Sequence, residues 1–285
     1  MSKIFIGALG FALLAAPAMA ADLPARMPVK APPPVPVYSW TGFYIGGNVG
    51  HSWGRANDSA GAGSIVTNVF RTASGPADPT AVITTTPLAF PGRRINVDGI
   101  IGGGQIGYNW QISAWVWGLE SDFQGSGQRG SQLSCVTAGC PAGSLFVNES
   151  IKLEWFGTTR ARAGYLVTPE LLLYATGGAA YGELKSNATA GIIGGAALVG
   201  SASSTRVGWT AGAGGEWAFD RKWSLKLEYL YIDLGRFNGV AGASTTTTVA
   251  NVPLQGFSTQ TTVNFPGVRS KFTDHILRAG VNYRF

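Results

Sequence analysis

Eight stretches of this chain alternate, residue by residue, between a bulky apolar face and a polar one. A period of two held over about ten residues marks a β-strand with two unlike environments. The last stretch is the clearest. Counted back from the end, Phe285, Tyr283, Val281, Ala279, Leu277 and His275 share one parity, and Arg284, Asn282, Gly280, Arg278 and Ile276 share the other. The other seven are residues 42–53, 98–110, 115–124, 151–165, 171–182, 206–219 and 223–233. The bulky aromatics mostly take one face, and the charges share the other with Gly, Asn and the two tyrosines Tyr44 and Tyr174. A soluble up-and-down barrel such as a lipocalin puts apolar residues inside and polar ones out. The inverted arrangement suits strands with lipid outside and a polar lumen inside.

The connections support a membrane barrel. Residues 111–114, 167–170 and 220–222 are short turns, whereas 55–97, 125–150, 183–205 and 234–270 are long. Short turns on one side and long loops on the other mark bacterial outer-membrane barrels. An all-β fold is therefore expected: an eight-stranded antiparallel transmembrane β-barrel with short periplasmic turns and four long extracellular loops. Composition agrees, with 41 glycines in 285 residues, 9 Trp, 9 Tyr and only 13% charged residues. The net charge of +6 gives no warrant for nucleic acid.

The domain order follows. Residues 1–20 read as a signal peptide: Lys3, an apolar run, then Ala18-Met19-Ala20 as a small-x-small cleavage pattern. The run falls short of the roughly 20 apolar residues of a spanning helix. Residues 21–39 form a Pro-rich periplasmic leader, read as an extended spacer, and residues 40–285 form the barrel. Cys135 and Cys140 suggest a small loop disulfide, as expected in an oxidising compartment. A zinc site is the alternative, but it needs two more ligands, and no histidine lies near the pair.

Several segments together resemble the alphaproteobacterial outer-membrane immunogenic proteins, a porin-like small β-barrel family related to the OmpA-type transmembrane barrel. They are the run from Tyr38 to Gly50, that from Trp155 to Tyr165, that from Tyr174 to Gly182, that from Gly208 to Glu216, and that from Ile276 to Phe285. The resemblance implies a multi-pass protein of a Gram-negative cell outer membrane. It also implies that Tyr283 and Phe285 in the last strand are read by the barrel-assembly machinery. It implies no single biochemical activity.

Within that frame three sets of side chains are candidates. Glu120, Asp122, Glu154, Arg160, Arg162, Glu216, Lys226, Glu228 and Arg278 form an expected lumen network, with Lys152 and Arg284 as further bases. It reads either as a salt-bridge plug or as the lining of a channel. The plug is preferred, because an eight-stranded barrel leaves an interior just wide enough for side chains. A porin-like path for ions or small solutes is the alternative. Arg55, Arg93, Arg94, Arg206, Arg236, Arg269 and Lys271, again with Lys152, lie near the long-loop ends. There they are expected to meet the phosphates of lipopolysaccharide, unless they are ordinary solvated charges. Trp40, Trp110, Trp115, Tyr165, Trp223 and Phe285 read as a periplasmic aromatic girdle, and Trp53, Phe123, Trp155, Tyr181, Tyr231 and Phe272 as an outer one.

Other chemistry is disfavoured. Gly102, Gly104 and Gly107 match a dinucleotide-loop spacing but lack the helix that such a site requires. His51 and His275 could share a haem or metal; the plainer reading is two interfacial side chains at unrelated heights. A lipid-modifying enzyme needs a Ser-His-acid set on one surface, and Asp274 lies on the opposite face from His275. No enzyme activity, cofactor or metal is expected. The long loops, rich in Thr, Ser, Ala and Gly, carry no motif for adhesion or haem capture.

Overall fold

The computed structural model describes residues 38–58, 61–72, 82–90, 92–194, 197–238, 242–252, 255–265 and 269–285. The expected signal peptide and Pro-rich leader, up to residue 37, lie outside the described residues. In chain order the strands are β1 (Gly42–Asp58), β2 (Gly61–Thr72), β3 (Val82–Phe90), β4 (Arg94–Ile112), β5 (Trp115–Ser126), β6 (Arg129–Cys135), β7 (Leu145–Thr168), β8 (Leu171–Ile192), β9 (Ala197–Ala218), β10 (Trp223–Asn238), β11 (Gly242–Val252), β12 (Gln255–Phe265) and β13 (Arg269–Arg284).

Eight of these strands form a closed antiparallel ring. β1 pairs with β4, β4 with β5, β5 with β7, β7 with β8, β8 with β9, β9 with β10, β10 with β13, and β13 again with β1. The closing seam sets Ile45 opposite Tyr283 and Trp53 opposite His275. All eight alternating segments fall on ring strands. Closure removes the unpaired edges that could not persist in lipid. The turns fall as expected, with Ala114 accepting from Leu166 (2.8 Å) and Glu170 from Ala218 (2.8 Å) across the periplasmic end.

Between Phe43 and Trp53 on β1 the outward residues are exposed and, His51 apart, apolar, and Ile106, Leu119, Leu227 and Leu277 continue the band on other strands. Ten residues of tilted strand rise about 25 Å, the height of the apolar band of an outer-membrane barrel. Aromatic pairs fringe both rims. Trp115–Tyr165 (5.3 Å) and Trp223–Tyr283 (5.0 Å) lie at the periplasmic rim, and Phe123–Trp155 (5.5 Å) and Trp209–Tyr231 (5.3 Å) at the outer one.

The long connections are largely strand. β7 and β8 stay paired out to Leu145 and Ile192, and β8 and β9 to Gly191 and Ala197. β6 fills the slot above β5, pairing with β7 and meeting β4 at Asp98 and Arg129. The first and last long connections combine into a separate four-stranded sheet, ordered β11-β12-β2-β3. Loop 2 holds the disulfide, with Cys135 and Cys140 Cα atoms 5.5 Å apart. Because the Cys135–Cys140 turn lies at the tip of the β6–β7 hairpin, beyond the eight-stranded ring, its reduction is expected to leave the heat-resistant, fast-migrating form in gels unchanged.

Candidate functional site: the filled barrel interior

The inward residues stack in layers from the periplasmic mouth outward. The segment before β1 packs into the mouth. Trp40 is fully buried, its amide donates to Gln111 Oε1 (2.8 Å), and its indole donates to the Pro169 carbonyl (3.0 Å). Arg284 lies over the Tyr38 and Trp40 rings at 5.0 and 4.9 Å and donates to the Ser39 carbonyl. Val116, Leu172, Tyr174 and Ala218 complete this small core. The sequence placed Trp40 in the lipid-facing girdle. It stands inside the mouth because it precedes the first strand and has no parity to obey.

Above the stopper lies the charge network. Register sets Glu120 opposite Arg160, Lys226 opposite Glu216, and Glu228 opposite Arg278. Arg160 bonds Glu120, Asp122 (2.9 Å) and Glu228 (3.0 Å). Arg278 bonds Glu228 (2.6 Å) and Asp122 (2.9 Å), Lys226 bonds Glu120 (2.9 Å), and Arg162 bonds Glu216 (2.8 Å). Tyr44 and Tyr174 donate hydroxyls to Glu120 (2.7 Å) and Glu228 (3.0 Å), and Arg162 stacks 4.1 Å from the Tyr174 ring centre. Four acids (Glu120, Asp122, Glu216, Glu228) meet four bases (Arg160, Arg162, Lys226, Arg278), and all eight side chains are 2% exposed or less. Bare charge in such a place is costly, so the exact balance is what lets the layer exist.

Two glycines make room for it. A Cβ at Gly50 would stand 2.7 Å from the Arg278 Cβ, and one at Gly214 would stand 2.7 Å from the Tyr174 hydroxyl. A layer of amides follows, in which Asn48 donates to Gln105 (2.7 Å) and Gln105 to Asn282 (2.6 Å). Asp274 comes next, accepting from Ser52 (2.5 Å) and Gln128 (2.8 Å).

Beyond Asp274 the interior turns apolar. Ile95, Val97, Ile101, Leu230, Phe237 and Phe272 belong to one buried cluster that fills the outer part of the barrel. The wall inverts there. Below the outer aromatic rim apolar residues face out and charges face in; above it Lys271 faces out and Phe272 faces in. The sequence counted Phe272 among the outer girdle, but it is fully buried. Its parity is the inner one of Arg278, and above the rim that inner face is apolar.

Other expected site residues move as well. Glu154 is not in the lumen network. The pairing of β7 with β8 shifts between Leu153 and Trp155, and this bulge turns Glu154 outward. There Lys185 (2.7 Å) and Lys152 (3.0 Å) clasp it. Lys152, read both as a lumen base and as a loop-end charge, is exposed on the outer face. The hydrogen bonds from Lys185 and Lys152 hold the Glu154 carboxyl below its usual value of 4.5. The clasp is therefore complete above the unfolded value and lost as pH falls through the lower folded one. Being exposed, it adds little: Glu154→Gln is expected to leave the melting midpoint unchanged between pH 5 and 8.

Of the seven expected lipopolysaccharide contacts, two turn away from the outer face. Arg93 pairs with the buried Glu149 (2.9 Å). Arg206 shares its parity with Gly208, Thr210 and Gly212 of the inner face, and its Nε is enclosed. Arg55, Arg94, Arg236, Arg269 and Lys271 are exposed. His51 and His275 both face outward, but Trp53 stands between them, its ring centre 6.2 Å from one and 6.3 Å from the other. The His275 Nδ1 lies 2.6 Å from the Tyr229 hydroxyl.

The model of the outer membrane protein beta-barrel domain family matches residues 6–285. The chain is 38% identical over 277 residues to the 31 kDa outer-membrane immunogenic protein of Brucella melitensis, covering 96% of each chain. It is 27% identical to the 25 kDa outer-membrane immunogenic protein of Brucella abortus, over 95% of this chain and 92% of that one. Among solved structures, Neisserial surface protein A is similar over 86% of this chain and 98% of its own, at 13% identity and a TM-score of 0.27. The outer membrane protease OmpT of Escherichia coli covers 88% and 99%, at 9% identity and a TM-score of 0.43. The chain belongs to the outer-membrane β-barrel family and is a protein of the Gram-negative outer membrane.

Proposed function

We propose that this family member is a closed, non-enzymatic structural barrel. It stiffens the outer membrane, packs against lipopolysaccharide and displays strand-built loops at the cell surface, while its lumen passes no solute. One observation carries this reading: the interior is occupied from end to end by the Trp40 stopper, the balanced charge layer, the amides and the apolar cluster. A porin needs a continuous polar path, and the burial of Phe156, Phe237 and Phe272 supports a closed interior. Solute uptake by liposomes tests the reading. Proteoliposomes carrying the protein should swell in small sugars no faster than empty ones. Trp40→Ala should not change this, because three further layers remain; rapid swelling of either sample favours the porin reading.

Assembly belongs to the same proposal. At the last strand the Tyr283 and Phe285 rings pack at 5.2 Å, and Phe285 is exposed to lipid. The barrel-assembly machinery is proposed to read this end. Loss of Phe285 should then lower the amount of folded barrel in the membrane, while in vitro folding into detergent stays efficient. Equal membrane levels would argue against the signal.

A further inference from the structure

The outward charges above the outer aromatic rim are unevenly shared around the wall. On the β7–β8 side Lys152 and Lys185 are neutralised by Glu154, and Glu183 is held by Trp155 (2.9 Å) and Ser203 (2.6 Å). On the β10–β13–β1–β4 side Arg55, Arg94, Arg236, Arg269 and Lys271 all face outward and are exposed. Among the side chains described on the outer face of that stretch, the acids are Asp233, bonded to Lys271 (2.9 Å), and Asp98, which the register sets opposite Arg129.

Register packs these cations together. Asn57 on β1 faces Lys271 on β13, Lys271 faces Arg236 on β10, and Arg94 on β4 faces Asn57 from the other side. Arg269 is two residues further along the same face of β13. The hydrogen bond that Lys271 donates to Asp233 raises its ammonium above its usual value, while the neighbouring Arg236 opposes that rise. Among the described residues Arg55, Arg236 and Arg269 have no ion-pair partner, and Arg94 bonds only Asn57 (3.3 Å). Like charges gathered on one wall repel unless an anion lies between them.

Their height identifies the anion. Arg55 is two residues above Trp53, and Lys271 is four above His275, both on the aromatic rim. At about 3.3 Å per residue along a tilted strand, that puts Arg55 and Lys271 roughly 5–10 Å above the edge of the hydrocarbon, and Arg269 about 15 Å above it. Phosphoryl groups of a glycolipid headgroup lie at that level, above a platform of Trp53, His275 and Tyr231, whose rings pack within 6.3 Å. Guanidinium forks suit phosphate oxygens.

We infer that the outer face of the β10–β13–β1–β4 wall is a binding site for a phosphorylated glycolipid, gripped by Arg55, Arg236, Arg269 and Lys271, and that the β7–β8 wall is not. This rests on the lipopolysaccharide packing proposed above and locates it on one side. The test uses the full barrel in nanodiscs, titrated with lipopolysaccharide and with lipopolysaccharide stripped of its lipid A phosphates. The variants are R55Q/R236Q/R269Q/K271Q and, on the opposite wall, K152Q/K185Q. Both change exposed side chains, and heat-shifted gel mobility checks that each is folded. The first variant should bind intact lipopolysaccharide at least about tenfold more weakly, and the second within about twofold of the parent. The parent should favour the phosphorylated form, with the preference shrinking as salt rises. Phosphate-dependent binding that survives R55Q/R236Q/R269Q/K271Q, or is lost in K152Q/K185Q, overturns the location but keeps the packing reading. Equal binding of both glycolipids by the parent overturns the site and the electrostatic packing together.

Discussion

Arg160→Ala should destabilise the barrel by about 3–5 kcal/mol, the cost of breaking a buried ion network from one side. The guanidinium reaches three carboxylates, those of Glu120, Asp122 and Glu228, and its removal leaves four acids facing three bases in a fully buried layer. Neighbouring Arg278 and Lys226 are already bonded to the same acids. They can move closer but cannot replace a charge. Urea unfolding in detergent, followed by gel mobility, reads the loss directly. The double change R160M/E228Q removes one charge of each sign, leaving three and three, and should recover a large part of it. A midpoint unchanged in Arg160→Ala would mean that the charges are hydrated and not a packed layer.

The second large effect is expected outside the membrane. Phe272→Ala empties a fully buried position in the apolar cluster and should cost about 3–5 kcal/mol, as ring deletions in packed cores do. The loss should be local. Above the aromatic rim the wall is stabilised by this inner core, as in a soluble β-barrel; below it, by lipid outside and ion pairs inside. Trypsin should therefore cut Phe272→Ala at the exposed Arg55, Arg236 or Lys271 under conditions that spare the parent, while the membrane band stays folded and heat-modifiable. Equal protease resistance would show that the outer interior is a loose vestibule.

How far the sequence could be read follows from the same physics. The membrane band was legible because its two faces differ sharply: aromatics beside lipid, and charges with Gly and Asn inside. Even cross-strand partners such as Glu120 and Arg160 could be inferred from strand order. Three things were hidden. The outer wall alternates too, but with polarity inverted: Phe272 keeps the inner parity of Arg278, yet as an aromatic near the rim it reads as a girdle residue, and the apolar cluster is hidden with it. The bulge between Leu153 and Trp155 moves Glu154 across the wall, and one extra residue leaves no trace in periodicity. Trp40 lies before the first strand, where no pattern applies. The Ser-, Thr- and Gly-rich connections read as loops because their two faces hardly differ, though their backbones pair as strands. A cue for the inversion was present: Lys271-Phe272 and Arg236-Phe237 each put a charge beside a bulky apolar residue, past the aromatic rim.

The central claim is that the lumen is filled from mouth to tip. Planar-bilayer recording of the refolded barrel tests it most directly. The account predicts a flat baseline at neutral pH and moderate voltage, in the parent and in Trp40→Ala alike. Reproducible, stable conductance steps from the parent protein would contradict it.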